Sequence, residues 1–290
     1  MDKPLFTGTC TALVTPFVSD QVNYSMLEKL LQFQIDAGIH TIVLCGTTGE
    51  SPTLSDKEKI SIFRHAKQYC GDNCTIIAGT GSNATRHSVE LSLAAQDAGV
   101  DGLLIVSPYY NKSNPDGLYR HFSTIAKNTT LPIILYNVPT RTGVDIPISV
   151  YQALAKLQNI VGVKEANSDI TKIAKIKVNC PDDFYIWSGN DDQIVPVMSL
   201  GGIGVISVLS NIYPKETQYM TQCALLHNFQ TASKIQCAML PMIELLFREV
   251  NPIPVKYAMD KIGFDCGPCR LPLGTLSADI QKAIDTYLAK

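Results

Sequence analysis

The stretch "IVGVKEA", residues 160–166, sets four apolar positions in a row, Ile160 to Val163, before Lys164 and Glu165. A strand with one wet face alternates apolar and polar residues, so a near-continuous run implies cover on both faces, as in parallel sheets flanked by helices. Seven further runs read the same way: "CTALVTPF" (10–17), "TIVLCG" (41–46), "TIIAGTG" (75–81), "GLLIVSP" (102–108), "PIILYNVP" (132–139), "FYIWSGN" (184–190) and "IGVISVL" (203–209). Most begin roughly 25–35 residues after the one before, the length of a strand, a helix and two short loops. Between them lie helix-period segments such as "SMLEKLLQFQIDAG", with Leu27, Leu31 and Ile35 at i+4 spacing, Ser25 and Glu28 at capping-box spacing and Gly38 placed to stop the helix. Eight alternating units close most simply into an α/β fold of the (β/α)8, or TIM-barrel, type.

The chain has 290 residues, and about 80 follow the eighth run, where a barrel needs one more helix. Helical stretches at "PKETQYMTQCALLHNF", "TASKIQCAMLPMIELLFREV" and "SADIQKAIDTYLA" supply a surplus. The expected organisation is a catalytic barrel over 1–225 and a C-terminal helical extension over 226–290 packed on it, since no low-complexity or Pro/Ser-rich linker separates the two. A formal net charge of -2 gives no phosphate-neutralising surface, so nucleic acid is not an expected partner. No apolar run reaches the length of a membrane span and the first residues lack a leader pattern, so no membrane partner and a cytoplasmic location are expected. Nine cysteines, an odd number scattered through apolar segments, read as reduced thiols; Cys266 and Cys269 form a lone C-x-x-C without a second ligand pair, and no metal is expected.

In such barrels chemistry collects where strands end at their C-terminal edge. The residues closing the runs are Thr47, Thr48 and Glu50 in "GTTGES", Tyr109 and Tyr110 in "SPYYNK", Tyr136 and Arg141 in "YNVPTRTG", Lys164 and Glu165, and Gly189 and Asp191 in "SGND". A central barrel strand has no solvent edge for Lys164, burial disfavours an ammonium group, and a neutral amine attacks carbonyls. Lys164 is therefore the candidate Schiff-base residue. Imine chemistry needs proton transfers, which the hydroxyl of Tyr136 suits; its bland reading is a satisfied core tyrosine. The "GTTGE" turn offers backbone N–H groups to a carboxylate, while Ser55 and Glu58 just beyond have the spacing of a helix cap. Arg141 follows Val138-Pro139 in a loop and has the fork to clamp a second carboxylate. "AGTGSNA" fits a G-x-G-x-x-A dinucleotide pattern with Asp101 downstream, but its position at the third strand of an eight-strand repeat argues against that use. "LGGIG" precedes the eighth run and reads as a tight turn at the far end.

"GTTGES", "SPYYNK", "YNVPTRTG", "GVKEA" and "SGND", in this order and with the late "NPIPVKYAM" and "RLPL", resemble the pyruvate-dependent class I lyase and aldolase superfamily. Within it they are most similar to the dihydrodipicolinate synthase (4-hydroxy-tetrahydrodipicolinate synthase) family, over nearly the whole chain. The resemblance implies condensation of pyruvate with L-aspartate 4-semialdehyde in the diaminopimelate route to lysine, no cofactor, and a homotetramer built as a dimer of dimers. Position by position, it implies Lys164 as the imine-forming residue, Tyr136 as proton donor and acceptor, and Thr47 as a relay. Tyr110 matches the relay tyrosine that enters a neighbouring subunit's site. Thr48 and the main chain at Ile206 match pyruvate-binding positions, Gly189 falls in the binding segment "SGND", and Arg141 matches the receiver of the semialdehyde carboxylate. Sister lyases and aldolases share the lysine and tyrosine but generally lack an arginine placed like Arg141, and a catalytically silent barrel remains a rival of another class.

Lysine-inhibited members of that family hold the inhibitor with two histidines and a glutamate, and here Asp56, Lys59 and His87 stand at those positions, beside matching Ser51, Asn83 and Tyr109. An ammonium at Lys59 and a lost carboxylate at His87 oppose capture of a cation, so weak or absent lysine feedback is expected.

Overall fold

In the computed structural model, which describes residues 4–289, the eight apolar runs become eight parallel strands of one closed barrel. They are β1 (Gly8–Ala12), β2 (Thr41–Leu44), β3 (Thr75–Gly79), β4 (Gly102–Val106), β5 (Ile133–Asn137), β6 (Ile160–Glu165), β7 (Tyr185–Ser188) and β8 (Gly204–Ser207). Each pairs with its neighbours in chain order, and β1 closes the ring between β8 and β2. The first run is the one misplaced. β1 begins at Gly8 and ends at Ala12, because Val14 turns its N–H to the Asn211 side chain and Pro16 has none to give; Phe17–Val18 then pairs antiparallel with Gln21–Val22.

Alternation divides the apolar side chains into two layers. Cys10, Ala12, Val43, Ile77, Leu104, Ile134, Trp187 and Ile206 fill the barrel, with Phe6 stacked on Trp187 at 5.0 Å. Their neighbours in sequence, such as Ile42, Leu44, Ile133, Leu135 and Val163, pack outward against the helices. The helix Tyr24–Asp36 is capped by the side chain of Asn23, which accepts from the Met26 N–H, and not by Ser25; Gly38, at φ 81°, follows its end as expected. The capping box of Ser55 and Glu58 is formed in full.

The last helices are Pro214–Leu225, Phe229–Leu246, Ile253–Lys261 and Ala278–Leu288. The third has Pro252 as its cap residue and Pro254 in its first turn, where a missing N–H costs no helical hydrogen bond. Among the described residues no helix is long and apolar enough to cross a membrane.

Candidate active site

Lys164 owes its direction to one irregularity. The β5–β6 ladder runs Ile133 to Ile160 and then Ile134 to Gly162, so Val161 is an extra residue, and beyond it Tyr136 pairs with Lys164. Without that bulge Tyr136 would face Val163, and Lys164 would point outward into the helix layer. Gly162 makes the bulge possible, since a Cβ there would lie 2.0 Å from the Tyr185 carbonyl oxygen. The glycine in "IVGVKEA" thus decides which side the lysine faces.

Lys164 is 5% exposed, and its Nζ lies 4.3 Å from the centre of the Tyr136 ring. Among the described residues it has no carboxylate within ion-pair distance. Glu165, next in sequence, faces the other way. It accepts from Asn137 Nδ2 at 2.7 Å and the Tyr151 hydroxyl at 3.0 Å, and burial pushes its carboxyl up to about 7. It belongs to the outer layer and leaves the amine alone.

A cavity of about 610 Å³ opens at the C-terminal edge, and Thr47, Tyr136 and Arg141 are among its walls. The Thr47 and Thr48 N–H groups donate to no protein acceptor among the described residues, which leaves the turn free to bind an anion. The Thr48 hydroxyl is engaged: it accepts from Asn251 Nδ2 at 2.9 Å, while the Asn251 carbonyl accepts from Arg141 Nη2 at 3.1 Å. Arg141 sits on a single helical turn, Pro139–Thr142, rather than in a loop, and is exposed. Ile206 is fully buried in β8 and Gly189 follows β7, its N–H donating to the Glu165 carbonyl at 2.7 Å. Tyr110 stands apart, 92% exposed and outside the cavity of its own chain.

Cys45, Glu50 and Tyr110, in the loops after β2 and β4, hold left-handed backbone at φ 53°, 56° and 70°, strain of a kind that persists where surroundings enforce it. Three buried polar atoms at this end, Ser107 Oγ, Asp191 Oδ1 and Asn251 Oδ1, have no partner among the described residues, a state unusual away from functional sites. The other Asp191 oxygen accepts from the Val208 and Leu209 N–H groups at 2.9 and 2.8 Å, which fixes the chain just after Ile206. Burial raises its carboxyl above the ordinary aspartate range. Asn251 is the position at this site that residue-by-residue reading passes over. It comes from the extension, far from any strand end, and the only sequence signal is the segment "NPIPVKYAM".

The dinucleotide-like glycines serve packing. A Cβ at Gly79 would lie 2.3 Å from the Cys45 carbonyl oxygen and one at Gly81 2.4 Å from the Val106 nitrogen, and Asp101 is taken by Lys67 and the Ile76 N–H. Cys266 and Cys269 are unpaired thiols, both pushed up to about 12 chiefly by burial.

The Dihydrodipicolinate synthetase family model matches residues 5–290. The chain belongs to that family. Among curated members, the 4-hydroxy-tetrahydrodipicolinate synthase of Acetivibrio thermocellus is 47% identical over 273 residues, 94% of this chain and 93% of that one. The synthase of Caldicellulosiruptor saccharolyticus is 47% identical over 98% of both chains. A dihydrodipicolinate synthase structure from Aquifex aeolicus superposes with a TM-score of 0.96 at 38% identity, covering 98% of this chain and 97% of that one. The chloride-inhibited enzyme of Acinetobacter baumannii complexed with pyruvate gives 0.95 at 38% identity over 98% of each. The dihydrodipicolinate synthetase family thus shares this chain's whole barrel and extension.

Proposed function

We propose that the site condenses pyruvate with L-aspartate 4-semialdehyde to 4-hydroxy-tetrahydrodipicolinate, in lysine biosynthesis through diaminopimelate. The observation that carries this reading is the buried amine of Lys164 against the Tyr136 ring beside an anion-ready turn. Lys164 Nζ adds to the ketone carbon of pyruvate and water leaves, giving an imine. The imine draws electrons from the neighbouring methyl group, which loses a proton to become an enamine, so no external electron sink is required. The enamine carbon attacks the aldehyde carbon of the semialdehyde. The semialdehyde's amino group then displaces Lys164 from the imine carbon and closes the ring, so one water is released overall.

In this reading Tyr136 moves protons to and from the carbinolamine and the new hydroxyl, with Thr47 as relay. Thr48, the main chain at Ile206 and Gly189 hold pyruvate. Arg141, fixed by the Asn251 carbonyl, receives the semialdehyde carboxylate. Tyr110, too exposed to serve its own chain, completes the relay of a neighbouring subunit in a homotetramer of paired dimers. The enzyme works in the cytoplasm, and its catalytic barrel ends at residue 225, where the extension of residues 226–290 begins.

The test is an assay of purified protein with both substrates and excess dihydrodipicolinate reductase, read as NADPH oxidation. Turnover is expected with this pair. Pyruvate trapped by borohydride without turnover would instead indicate a sister aldolase with another acceptor. A Tyr110→Phe variant is expected to lose turnover by about 10²-fold, the lower range for general acid–base groups, while still trapping pyruvate. Activity equal to the parent would remove Tyr110 from the relay.

A further inference from the structure

Behind the catalytic pair, on the outward face of the same two strands, a buried polar corner holds the loop that carries Arg141. Asn137, the last residue of β5, closes that loop at its base: its Nδ2 donates to Asp145 Oδ1 at 2.8 Å and its Oδ1 accepts the Ile146 N–H at 3.1 Å. The second Nδ2 hydrogen goes to Glu165 Oε1 at 2.7 Å, on the strand of Lys164. From the helix Thr171–Asn179, Lys172 reaches the same corner, where its Nζ donates to Asp145 Oδ1 at 2.8 Å and to the Ile146 carbonyl at 2.7 Å. Asn137 and Lys172 are both buried, and every polar atom of the Asn137 side chain has its partner, the condition under which a buried network holds one geometry. None of these residues is a wall of the cavity. Strand alternation turns Asn137 and Glu165 outward where Tyr136 and Lys164 turn inward.

We propose that Asn137, backed by Asp145 and Lys172, is a positioning group for the second substrate, setting Arg141 at a fixed distance from the imine on Lys164. The inference rests on the condensation proposed above. There the enamine carbon must meet the aldehyde carbon while Arg141 holds the carboxylate of the same molecule, and a misplacement of about 1 Å by a residue away from the chemistry is enough to cost about 10²-fold. The bonds from Thr142 Oγ1 to the Val138 and Val144 carbonyls shape the arginine turn from within but do not tie it to the next strand. The Asn137 corner does.

The variant to make is Asp145→Ala, because that side chain is half exposed and its loss opens the corner without emptying the core. In the coupled assay the KM for the semialdehyde is expected to rise about 10- to 100-fold, while the KM for pyruvate and the yield of borohydride trapping stay parental. A general loss of structure would lower kcat through the active fraction and would not single out one substrate. Asp145→Asn, whose amide oxygen still accepts from Asn137 and Lys172, is expected to recover most of the loss. Amide exchange over residues 138–146, followed by mass spectrometry without substrate, is expected to quicken in Asp145→Ala and to stay parental in Asp145→Asn. An unchanged semialdehyde KM in Asp145→Ala, an equal rise in both KM values, or parental exchange would each overturn the proposal. Parent protein that traps pyruvate but turns over no semialdehyde would remove the condensation instead, and the exchange comparison then decides on its own whether the corner holds the loop.

Discussion

A Lys164→Ala protein is expected to trap no pyruvate under borohydride and to lose kcat/KM by at least about 10³-fold, the scale on which enzymes fail when a covalent nucleophile is removed. Lys164→Arg is expected to fail equally. It sets a guanidinium where Lys164 Nζ lies 4.3 Å from the Tyr136 ring centre, and a guanidinium is never deprotonated in the working range, so charge without nucleophilicity is tested directly. Tyr136→Phe separates the two roles: it keeps the amine and the ring beneath it but removes the hydroxyl, so pyruvate is still trapped while turnover falls by about 10²–10⁴. The decisive comparison is trapping against turnover in these three proteins. Lys164→Ala protein that still gains a reduced pyruvyl group would place the imine on another amine and sink the mechanism, and a Tyr136→Phe protein with unchanged turnover would return Tyr136 to the core.

The strands and the lysine were legible for one reason: a barrel strand covered on both faces writes itself as an uninterrupted apolar run, and a charge at its end has nowhere neutral to go. Which way Lys164 points was not legible. That depends on the bulge at Val161, a matter of register between two strands that no single run encodes, though Gly162 marks where the chains approach. Ser25 and Asn23 show a smaller version of the limit, since both fit a cap and the choice between them rests on where the hairpin before the helix releases the chain. Helical periodicity marks the extension as surplus helix and carries no sign that Asn251 reaches Thr48 across a sequence gap of more than 200 residues. Long-range polar contacts made by the end of a chain leave no periodic trace.

The same reach gives the second large effect. Lys256 is expected to be the most costly single side chain of the extension to remove. It is 2% exposed and donates to Glu50 Oε1 at 2.9 Å and to the carbonyls of Thr15 and Pro268 at 3.1 Å each, with the Phe17 ring 4.5 Å away. Glu50 is 1% exposed, and its other oxygen accepts the Arg270 N–H at 2.8 Å. Removing Lys256 leaves that carboxylate buried without its cation, and breaking a buried pair from one side costs about 3–5 kcal/mol. Lys256→Met should lower the unfolding free energy by that amount, whereas breaking the exposed pair Arg86–Glu90 should leave it unchanged within error. Adding Glu50→Gln should restore part of the loss, because the uncompensated charge disappears with it. Glu50 lies two residues past Thr48 in left-handed backbone, so the pair also clamps the turn that presents Thr47 and Thr48. The variant should therefore lose pyruvate affinity even where it is fully folded. A Lys256→Met protein with parental stability and parental KM for pyruvate would show that the turn holds its shape unaided, and that the extension is packing alone.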